Sequence, residues 1–368
     1  MMGSFKQRNI ESGHHDLIND VAFDFYGRRL ATCSSDHTVK VWDQGEDGQW
    51  HCSCKWKAHS GAVWKVTWAH PEFGQVLATC SFDRTAAVWE EIVSDASSDH
   101  HQNTWIRRAP LVDSRTSVAD VRFSPRYMGL QLATVSADGV IRIYEAMDVM
   151  NLSTWSLEHE LSMRCAGSCI SWSPAPSGLS QLLAAGSEEQ VGAANPHTGG
   201  AKVLVFEYSK GARKWSKVQN LTAITDKVHD IAFAPNMGRS FHVLGIASTA
   251  VRIVALAPPA ADNGGGGGAY EVRELARLED HRSVVWRVAW SITGTILGSS
   301  GDDGCVRLWK ANYLNHWKCI CKLLADNSAA ADREADGAAA PNASGNALST
   351  AKYYKLGAIK RPNEVAWH

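Results

Sequence analysis

The chain carries almost no net charge and no long hydrophobic run. Its 368 residues include 37 Lys and Arg against 38 Asp and Glu, a formal net charge of −1. A near-neutral protein has no whole-molecule attraction for nucleic acid or acidic lipid, so we expect no direct nucleic-acid partner. No apolar run approaches the roughly 18–20 residues that a membrane helix needs, so we also expect no transmembrane segment.

The sequence also lacks a secretory signal and a metal-binding cysteine motif. Its first residues, MMGSFKQRNIESGHHD, contain no apolar stretch behind the charges, so we expect the nine cysteines to be reduced thiols in a cytosolic or nuclear protein. There is no C-x-x-C pair. Strand alternation predicts that both members of the C-x-C pairs, Cys52/Cys54 and Cys319/Cys321, point to one face, where two zinc ligands would still be missing. We expect no metal and no other cofactor.

One sequence unit occurs six times. WAHPEFGQVLATCSFDRTAAVWEE (68–91) and WSITGTILGSSGDDGCVRLWK (290–310) both begin with Trp, continue into a small-residue strand and place Asp six positions before a second Trp. The second marker recurs at Trp42, Trp89, Tyr144, Phe206, Val254 and Trp309. Its steps of 47 to 62 residues resemble the 40–45 of a WD-repeat blade with longer loops. With short strands, Gly, Asp, Pro and Ser turns and no helical period, we predict an all-β, six-bladed WD-repeat propeller.

Three of the units repeat a set of polar residues. We predict a buried network in which His bridges the turn Asp and a strand hydroxyl, while the Trp indole donates to that hydroxyl. The sets are His14, Thr32, Asp36 and Trp42; His59, Thr79, Asp83 and Trp89; and His281, Ser299, Asp303 and Trp309. A catalytic Ser/His/Asp interpretation is weaker because an active site need not recur. The absence of a Walker loop, an H-E-x-x-H motif and a nucleophile elbow also predicts no enzyme; the GGGGG run (264–268) is typical of a hairpin loop.

The ends of the repeat array decide how the ring closes. HWKCICKLL (316–324) mirrors QWHCSCKWK (49–57), so the last unit already has an outer strand and FKQRNI (5–10) is left as a spare strand. We divide the chain into the spare-strand segment 1–13, the propeller 14–324 and an Ala-rich tail, 325–368, predicted to be disordered. The tail ends in KYYKLGAIKRPNEVAW, either a docking peptide or a solvated end.

Two ring arrangements follow from this count. The six blades either close on themselves or form an open ring whose seventh blade is completed by a partner through strand addition. The spare strand favours the open ring, since it needs something to pair with. Candidate partner-binding residues are Phe5, Ile10, Trp317 and Ile320.

Several stretches resemble the Seh-one-type nucleoporins. They include DLINDVAFDFYGRRLATCSSDHTVKVWD, AHSGAVWKVTWAHPEFGQVLATCSFDRTAAVWEEIV, LVDSRTSVADVRFSP, MDVMNLSTWSL and ITGTILGSSGDDGCVRLWKANY, within residues 14–324. The resemblance implies a scaffold of the Y-shaped outer-ring complex of the nuclear pore, supporting pore assembly, mRNA export and protein transport. An α-solenoid nucleoporin would supply the seventh blade. The insert 188–200, the GGGGG run and the tail depart from the family.

The same resemblance implies a second assembly and further locations. In the GATOR-two complex, a missing-oocyte-type (Mio) protein would supply the blade, and the complex would activate TOR complex one in response to amino acids. The implied locations are the nuclear envelope, the cytoplasmic face of lysosomes and the mitotic kinetochore.

Other functions remain open from sequence. The propeller of the COPII vesicle coat shares the pattern HP…G…LA(T/S)CS(F/Y)DR, although the longer matches favour the nucleoporins. A closed propeller that reads peptides or phosphopeptides would need clustered arginines, whereas Arg28, Arg84 and Arg126 are scattered along the chain. A hydrolase would need one unit with extra polar groups, and no unit has them.

Overall fold

The computed structural model describes residues 10–92, 104–174, 179–189, 201–258 and 270–324. Within them the chain forms six antiparallel sheets of four strands each. Blades one to three contain β1 (Ile18–Phe23), β2 (Arg29–Ser34), β3 (Thr38–Gln44), β4 (Trp50–Lys57), β5 (Val63–Trp68), β6 (Val76–Ser81), β7 (Ala86–Ile92), β8 (Thr104–Leu111), β9 (Val118–Phe123), β10 (Gln131–Ser136), β11 (Val140–Ala146) and β12 (Trp155–Ser162). Blades four to six contain β13 (Gly167–Trp172), β14 (Leu182–Ser187), β15 (Val203–Ser209), β16 (Lys214–Asn220), β17 (Asp230–Phe233), β18 (His242–Ala247), β19 (Val251–Ala257), β20 (Glu271–Leu278), β21 (Val285–Trp290), β22 (Ile296–Gly301), β23 (Cys305–Ala311) and β24 (Trp317–Leu324).

The sheets are arranged as the blades of a propeller. In each sheet the strands follow sequence order, and the innermost strands of successive blades pack against each other from β1 through β5, β9, β13 and β17 to β21. The predicted all-β, six-bladed fold is therefore confirmed. Only two short 3-10 helices, Pro71–Phe73 and Arg126–Met128, interrupt the strands of the described segments. None of the helices in these segments has the length and apolar character needed to cross a membrane.

The recurring Asp has a local structural role in the turn between the second and third strands. The Asp83 carboxylate accepts a hydrogen bond from the backbone N–H of Thr85 at 3.0 Å, and Asp36 accepts one from Thr38 at 2.9 Å. Such Asx turns let a short polar side chain replace a backbone acceptor and fix the turn. Because the turn starts the third strand, Asp stands at a fixed distance before the Trp marker.

The hydrophobic core lies between blades. Five buried apolar clusters each join two successive blades, from the pair one and two to the pair five and six. In the first of them, Leu77 and Trp89 of blade two pack with Ala31, Val39 and Val41 of blade one. Each blade is thus buried by its neighbours rather than by its own two faces, so a blade at the end of an unclosed array keeps one apolar face without a partner.

Polar latches reinforce alternate joins near the ring axis. In each, a carboxylate on an innermost strand accepts a hydrogen bond from a backbone N–H of the next blade. These pairs are Asp20 with Val66, Asp120 with Ile170 and Asp230 with Val288, at 3.3, 2.9 and 3.1 Å. At the same joins an indole N–H of the next blade donates to a carbonyl of the first: Trp68 to Ala22, Trp172 to Arg122 and Trp290 to Ala232, at 2.9, 3.1 and 2.9 Å.

Candidate partner interface

The polar set of blade one forms a connected hydrogen-bond network. His14 Nδ1 lies 3.0 Å from the Asp36 carboxylate, and His14 Nε2 lies 3.0 Å from the Thr32 hydroxyl. The Trp42 indole N–H donates to the same hydroxyl at 3.1 Å. A consistent proton arrangement has Nδ1–H donating to Asp36 and the Thr32 hydroxyl donating to Nε2. The network therefore ties the segment before β1 to the second and third strands.

Blades two and six repeat this geometry. In blade two, His59 lies 3.1 Å from the Asp83 carboxylate and 2.8 Å from the Thr79 hydroxyl, which accepts the Trp89 indole N–H at 3.0 Å. In blade six, the corresponding distances are 2.9 Å from His281 to Asp303, 2.7 Å from His281 to Ser299 and 2.8 Å from Trp309 to Ser299. The structure thus brings together all three predicted sets.

Burial and hydrogen bonding act in opposite directions on the acidic members. Burial alone would raise the pKa of Asp36, but hydrogen bonds from the Thr38 hydroxyl and from the N–H groups of His15 and Thr38 outweigh it and lower the pKa well below its ordinary value. For His14 burial dominates and lowers the pKa, although Asp36 opposes the shift. The pair is therefore a carboxylate beside a neutral imidazole at neutral pH, as the hydrogen bonds require.

The hydroxyl groups of these networks are poorly placed for nucleophilic attack. Thr79 and Ser299 are buried, and each oxygen already interacts with a histidine nitrogen and accepts an indole N–H. Removing one partner would leave a buried polar atom unpaired, at a cost of about 1–3 kcal/mol. These networks therefore stabilise each blade by linking its strands through buried hydrogen bonds.

The join between blades six and one, here called the seam, is built differently from the other five. The innermost strands β21 and β1 do not show the close packing of the other neighbours. Among the described residues, none of the five apolar clusters spans this join. Arg287 crosses it: its Nη2 donates to the Asn19 carbonyl at 3.2 Å, and its guanidinium lies 3.8 Å from the Asp20 carboxylate. Polar contacts of Arg287 therefore link blades six and one.

The blade-six wall of the seam is partly uncovered. In every blade a Leu on the second strand is followed directly by a small residue: Ala31, Ala78, Ala133, Ala184, Gly245 and Gly298. The first five are buried, whereas Gly298 is half-exposed. Val306 and Leu308, which lie on the same face of β23, are half-exposed too, and their counterparts in the other blades are buried. We call Gly298, Val306 and Leu308 the receiving face.

Two equivalent glycines show the difference between a closed join and the seam. A Cβ placed on Gly245 would lie 3.2 Å from the Trp290 indole nitrogen and 3.3 Å from Leu297 Cδ1, both on blade six. A Cβ placed on Gly298 would meet only its own blade, at 3.6 Å from the Ala289 carbonyl and from Leu308 Cδ2. Among the described residues, no atom of another blade therefore lies within 4 Å of the Cβ position of Gly298.

The blade-one wall is better covered. Leu30 and Trp42 on its seam-facing side are buried, and the Lys40 ammonium lies 5.8 Å from the Trp42 ring centroid. Towards the edge of this wall, Phe23 is 58% exposed and contacts Trp50, with the ring centroids 5.8 Å apart. The two walls of the seam thus differ: Leu30 and Trp42 of blade one are buried, whereas the receiving face of blade six is partly exposed.

The four predicted partner-binding residues fall in different places. Phe5 lies outside the described residues, and Ile10 is half-buried without regular secondary structure. Trp317 begins β24 and packs against Trp290 at 5.8 Å, within the apolar cluster of blades five and six. The strand register turns Trp317 towards blade five, and its role in partner binding stays a prediction. Ile320 is the extra residue at a β-bulge in β24.

The structure corrects the prediction that both cysteines of each C-x-C pair point to one face. A β-bulge follows Cys52 in β4, so that Cys52 and Cys54 pair with neighbouring residues of β3. Neighbouring residues of a strand point to opposite faces, and the members of the pair therefore do not share one. The same register shift in β24 separates Cys319 from Cys321. The sequence alternation missed both bulges.

Known proteins place this propeller in a family. The family described as "WD domain, G-beta repeat" matches residues 5–43, 50–90 and 272–310, which contain the three polar networks. Nucleoporin SEH1 of Danio rerio is 56% identical over 88% of this chain and 89% of its own length. Nucleoporin SEH1 of Homo sapiens is 56% identical, and Nucleoporin SEH1-A of Xenopus laevis 57%, over 88% of this chain and 90% of each.

The chain belongs to the SEH1 nucleoporin family. Identity above one half over nearly nine tenths of both chains supports this family over the vesicle-coat propellers. The family assignment agrees with the resemblance found in the sequence.

Within this family fold, the arginines of the peptide-reader alternative do not cluster. Arg84 lies in the turn between β6 and β7, which joins a second strand to a third. Arg28 and Arg126 lie between first and second strands. Since consecutive turns of an antiparallel sheet lie at opposite ends, Arg84 lies at the other end of the ring from Arg28 and Arg126.

Exposed apolar side chains lie in turns of blades one and six at one end of the ring. Phe25 and Tyr26 lie in the turn between β1 and β2 and are both 66% exposed. Across the seam, Ile292 and Tyr313 occupy the turns after β21 and β23 and are both 91% exposed. Large exposed apolar groups that cluster on a soluble protein mark interaction surfaces.

Proposed function

We propose that this protein is a non-catalytic scaffold subunit of the nuclear pore that binds its partner at the seam. The observation that carries the proposal is the receiving face, an apolar blade surface without a neighbouring blade among the described residues. The family assignment supports the location at the pore. Strand addition to such a sheet array gives affinity through backbone hydrogen bonds and apolar burial without any chemistry.

The partner is an α-solenoid nucleoporin of the Y-shaped outer-ring complex that contributes the inner strands of a seventh blade. Residues just before His59 and just before His281 form the outer strands of the preceding blades, β4 and β20. By the same register, the residues before His14 correspond to the outer strand of a blade at the seam. The predicted spare strand 5–10 would then complete the blade that the partner begins.

The exposed apolar turns beside the seam extend this interface. Phe25 and Tyr26 on blade one and Ile292 and Tyr313 on blade six would contact the body of the partner at the end of the ring. Burying each large side chain would stabilise the complex by about 1.5–3 kcal/mol before the costs of association. Through this role the protein would support pore assembly, mRNA export and protein transport at the nuclear envelope.

The same interface would serve a second assembly. In the GATOR-two complex the Mio protein would supply the blade, and the complex would activate TOR complex one at the cytoplasmic face of lysosomes. The kinetochore is a third proposed location, in mitosis. All of these rest on the family resemblance.

Co-purification tests the proposed function. The full chain is expressed alone and together with the N-terminal segment of the α-solenoid nucleoporin, and each sample is measured by light scattering and thermal melting. We expect a 1:1 complex that is more stable than the lone chain, by about 2.7 kcal/mol at a partner concentration 100 times the Kd. The proposal would be contradicted if the lone chain were monomeric and its molar mass and melting temperature did not change with the segment. That result would favour a closed, peptide-reading ring.

A further inference from the structure

Five joins of the propeller are filled in the same way. Each following blade presents a Leu on its second strand, paired across to an aromatic or aliphatic side chain on its third strand. The pairs are Leu77 with Trp89, Leu132 with Tyr144, Leu183 with Phe206, Leu244 with Val254 and Leu297 with Trp309. Every pair belongs to the apolar cluster that its blade shares with the preceding one.

The preceding blade offers a matching surface to each pair. Its second strand contributes the small residue, Ala or Gly, and its third strand contributes two aliphatic or small side chains. At the join of blades five and six, Leu297 Cδ1 would be 3.3 Å from a Cβ on Gly245, so no larger residue fits there without displacement. The small residue is therefore what makes room for the incoming Leu.

The receiving face has this matching surface, but no incoming pair from the described residues packs on it. Gly298 provides the small residue, and Val306 and Leu308 provide the aliphatic side chains. The corresponding pair of blade one, Leu30 and Trp42, belongs to none of the apolar clusters of the described segments. Blade one therefore does not fill the receiving face in the way that blades two to six fill the others.

We propose that the receiving face selects the partner by accepting one β-sheet of defined side-chain pattern. The second strand of that sheet carries a Leu opposite Gly298, and its third strand carries a large aromatic or aliphatic residue directly across from the Leu. The two are twelve residues apart where the turn is tight, as in four blades of this chain: 30 and 42, 77 and 89, 132 and 144, 297 and 309. The inference rests on the proposed function and specifies the chemistry of the partner's strands.

Two substitutions in the full chain test the receiving face. Gly298→Leu places a side chain of this protein in the space where the partner's Leu would lie. Val306→Asp places a charge on the receiving face that partner binding would bury. Both positions are half-exposed, so we expect lone-chain melting temperatures within about 2 °C of the wild type. Affinity for the N-terminal segment of the α-solenoid nucleoporin should fall at least about tenfold in each variant.

Matched controls separate this effect from general damage. Gly211→Leu lies in the turn after β15, where a Cβ meets nothing within 4 Å, and should leave both affinity and melting unchanged. In the partner segment, Ala in place of the large residue twelve positions after the Leu should weaken binding to the wild-type chain by a similar factor. It should have little further effect on the already blocked Gly298→Leu chain.

The outcomes distinguish the inference from the proposed function. Wild-type binding with both variants binding equally well would overturn the inference and leave the proposed function intact. Absence of wild-type binding would contradict both. Self-association of the lone chain that Gly298→Leu abolishes would assign the face to a second copy, and a gain in affinity on removing residues 325–368 would assign it to the tail; either result overturns the partner-sheet proposal.

Discussion

The join between blades five and six and the seam between blades six and one share one blade but have different chemistry. At the closed join, blade six inserts Leu297 and Trp309 into an apolar cluster, and Trp290 donates to a backbone carbonyl of blade five. At the seam, blade six presents half-exposed Gly298 and is connected to blade one through Arg287. One sheet therefore has a core face and a surface face.

This contrast explains how a repeat fold can be both stable and incomplete. In a repeat protein, each unit is stabilised mainly by its nearest neighbours, so five closed joins can support six blades without the sixth join. The uncovered face then costs apolar exposure but remains available to a partner. The substitutions below separate the two kinds of join by their effect on the lone chain.

The largest expected difference comes from enlarging the two equivalent glycines. Gly245→Leu forces a side chain into the space occupied by Leu297 and Trp290, and should destabilise the lone chain by about 3 kcal/mol. Gly298→Leu should change the free energy of unfolding by less than about 0.5 kcal/mol, since no described residue of another blade lies within 4 Å of its Cβ position. Urea unfolding of the two variants measures both values. Equal destabilisation would mean that the seam is packed like the other joins.

The next largest loss of stability should come from removing one of the carboxylates that form the polar latches. Asp120 is fully buried, accepts the Ile170 N–H at 2.9 Å and lies 3.5 Å from the Arg122 guanidinium. Asp120→Ala should therefore cost about 3 kcal/mol, because it leaves a buried N–H and a cation without their acceptor. Arg287→Met, at the partly solvated seam, should cost about 1 kcal/mol or less. A larger loss of unfolding free energy for Arg287→Met than for Asp120→Ala would contradict the expected difference between the two joins.

A smaller loss of stability should come from protonating a buried histidine at a closed join. His242 of blade five is buried beside the Ser173 hydroxyl of blade four, 2.8 Å from Nδ1, and burial lowers the pKa of His242 to about 4. Its unfolded pKa is about 6.5, so the unfolded state binds more protons between these values, and stability is lost as the pH falls through them. We expect the lone chain to lose about 2 kcal/mol from this group between pH 7 and pH 5.

His242→Gln provides the control for the pH effect. Glutamine can hydrogen-bond to Ser173 but does not titrate, so the variant should show a flatter dependence of unfolding free energy on pH. His14 and His281, whose pKa values are also lowered by burial, contribute the same sign and remain in both proteins. Parallel pH profiles for the wild type and the variant would contradict the assigned pKa shift.

The features that sequence analysis predicted are those encoded within one repeat. The blade number followed from the marker spacing. The polar networks followed from residues such as His59, Thr79 and Asp83, which lie within one repeat and within about 25 residues of each other. Because the blade is a local structure, local spacing is enough to place such groups in one network.

The features that it missed depend on register between strands or between blades. The latch carboxylates Asp20, Asp120 and Asp230 bond to the following blade some 46 to 58 residues away, and no pattern within a repeat reveals that pairing. The packing of Trp317 on Trp290 was not predicted either, because the direction of this side chain depends on the pairing of β23 with β24. The bulges in β4 and β24 likewise reversed the expected faces of their cysteines.

The most direct test of the central claim is an experimental structure of the full chain bound to the α-solenoid nucleoporin. The account predicts one additional β-sheet within the seam, with a Leu of the partner against Gly298 and its large cross-strand neighbour against Val306 and Leu308. A complex in which the partner binds elsewhere on the ring and leaves this face exposed would contradict it.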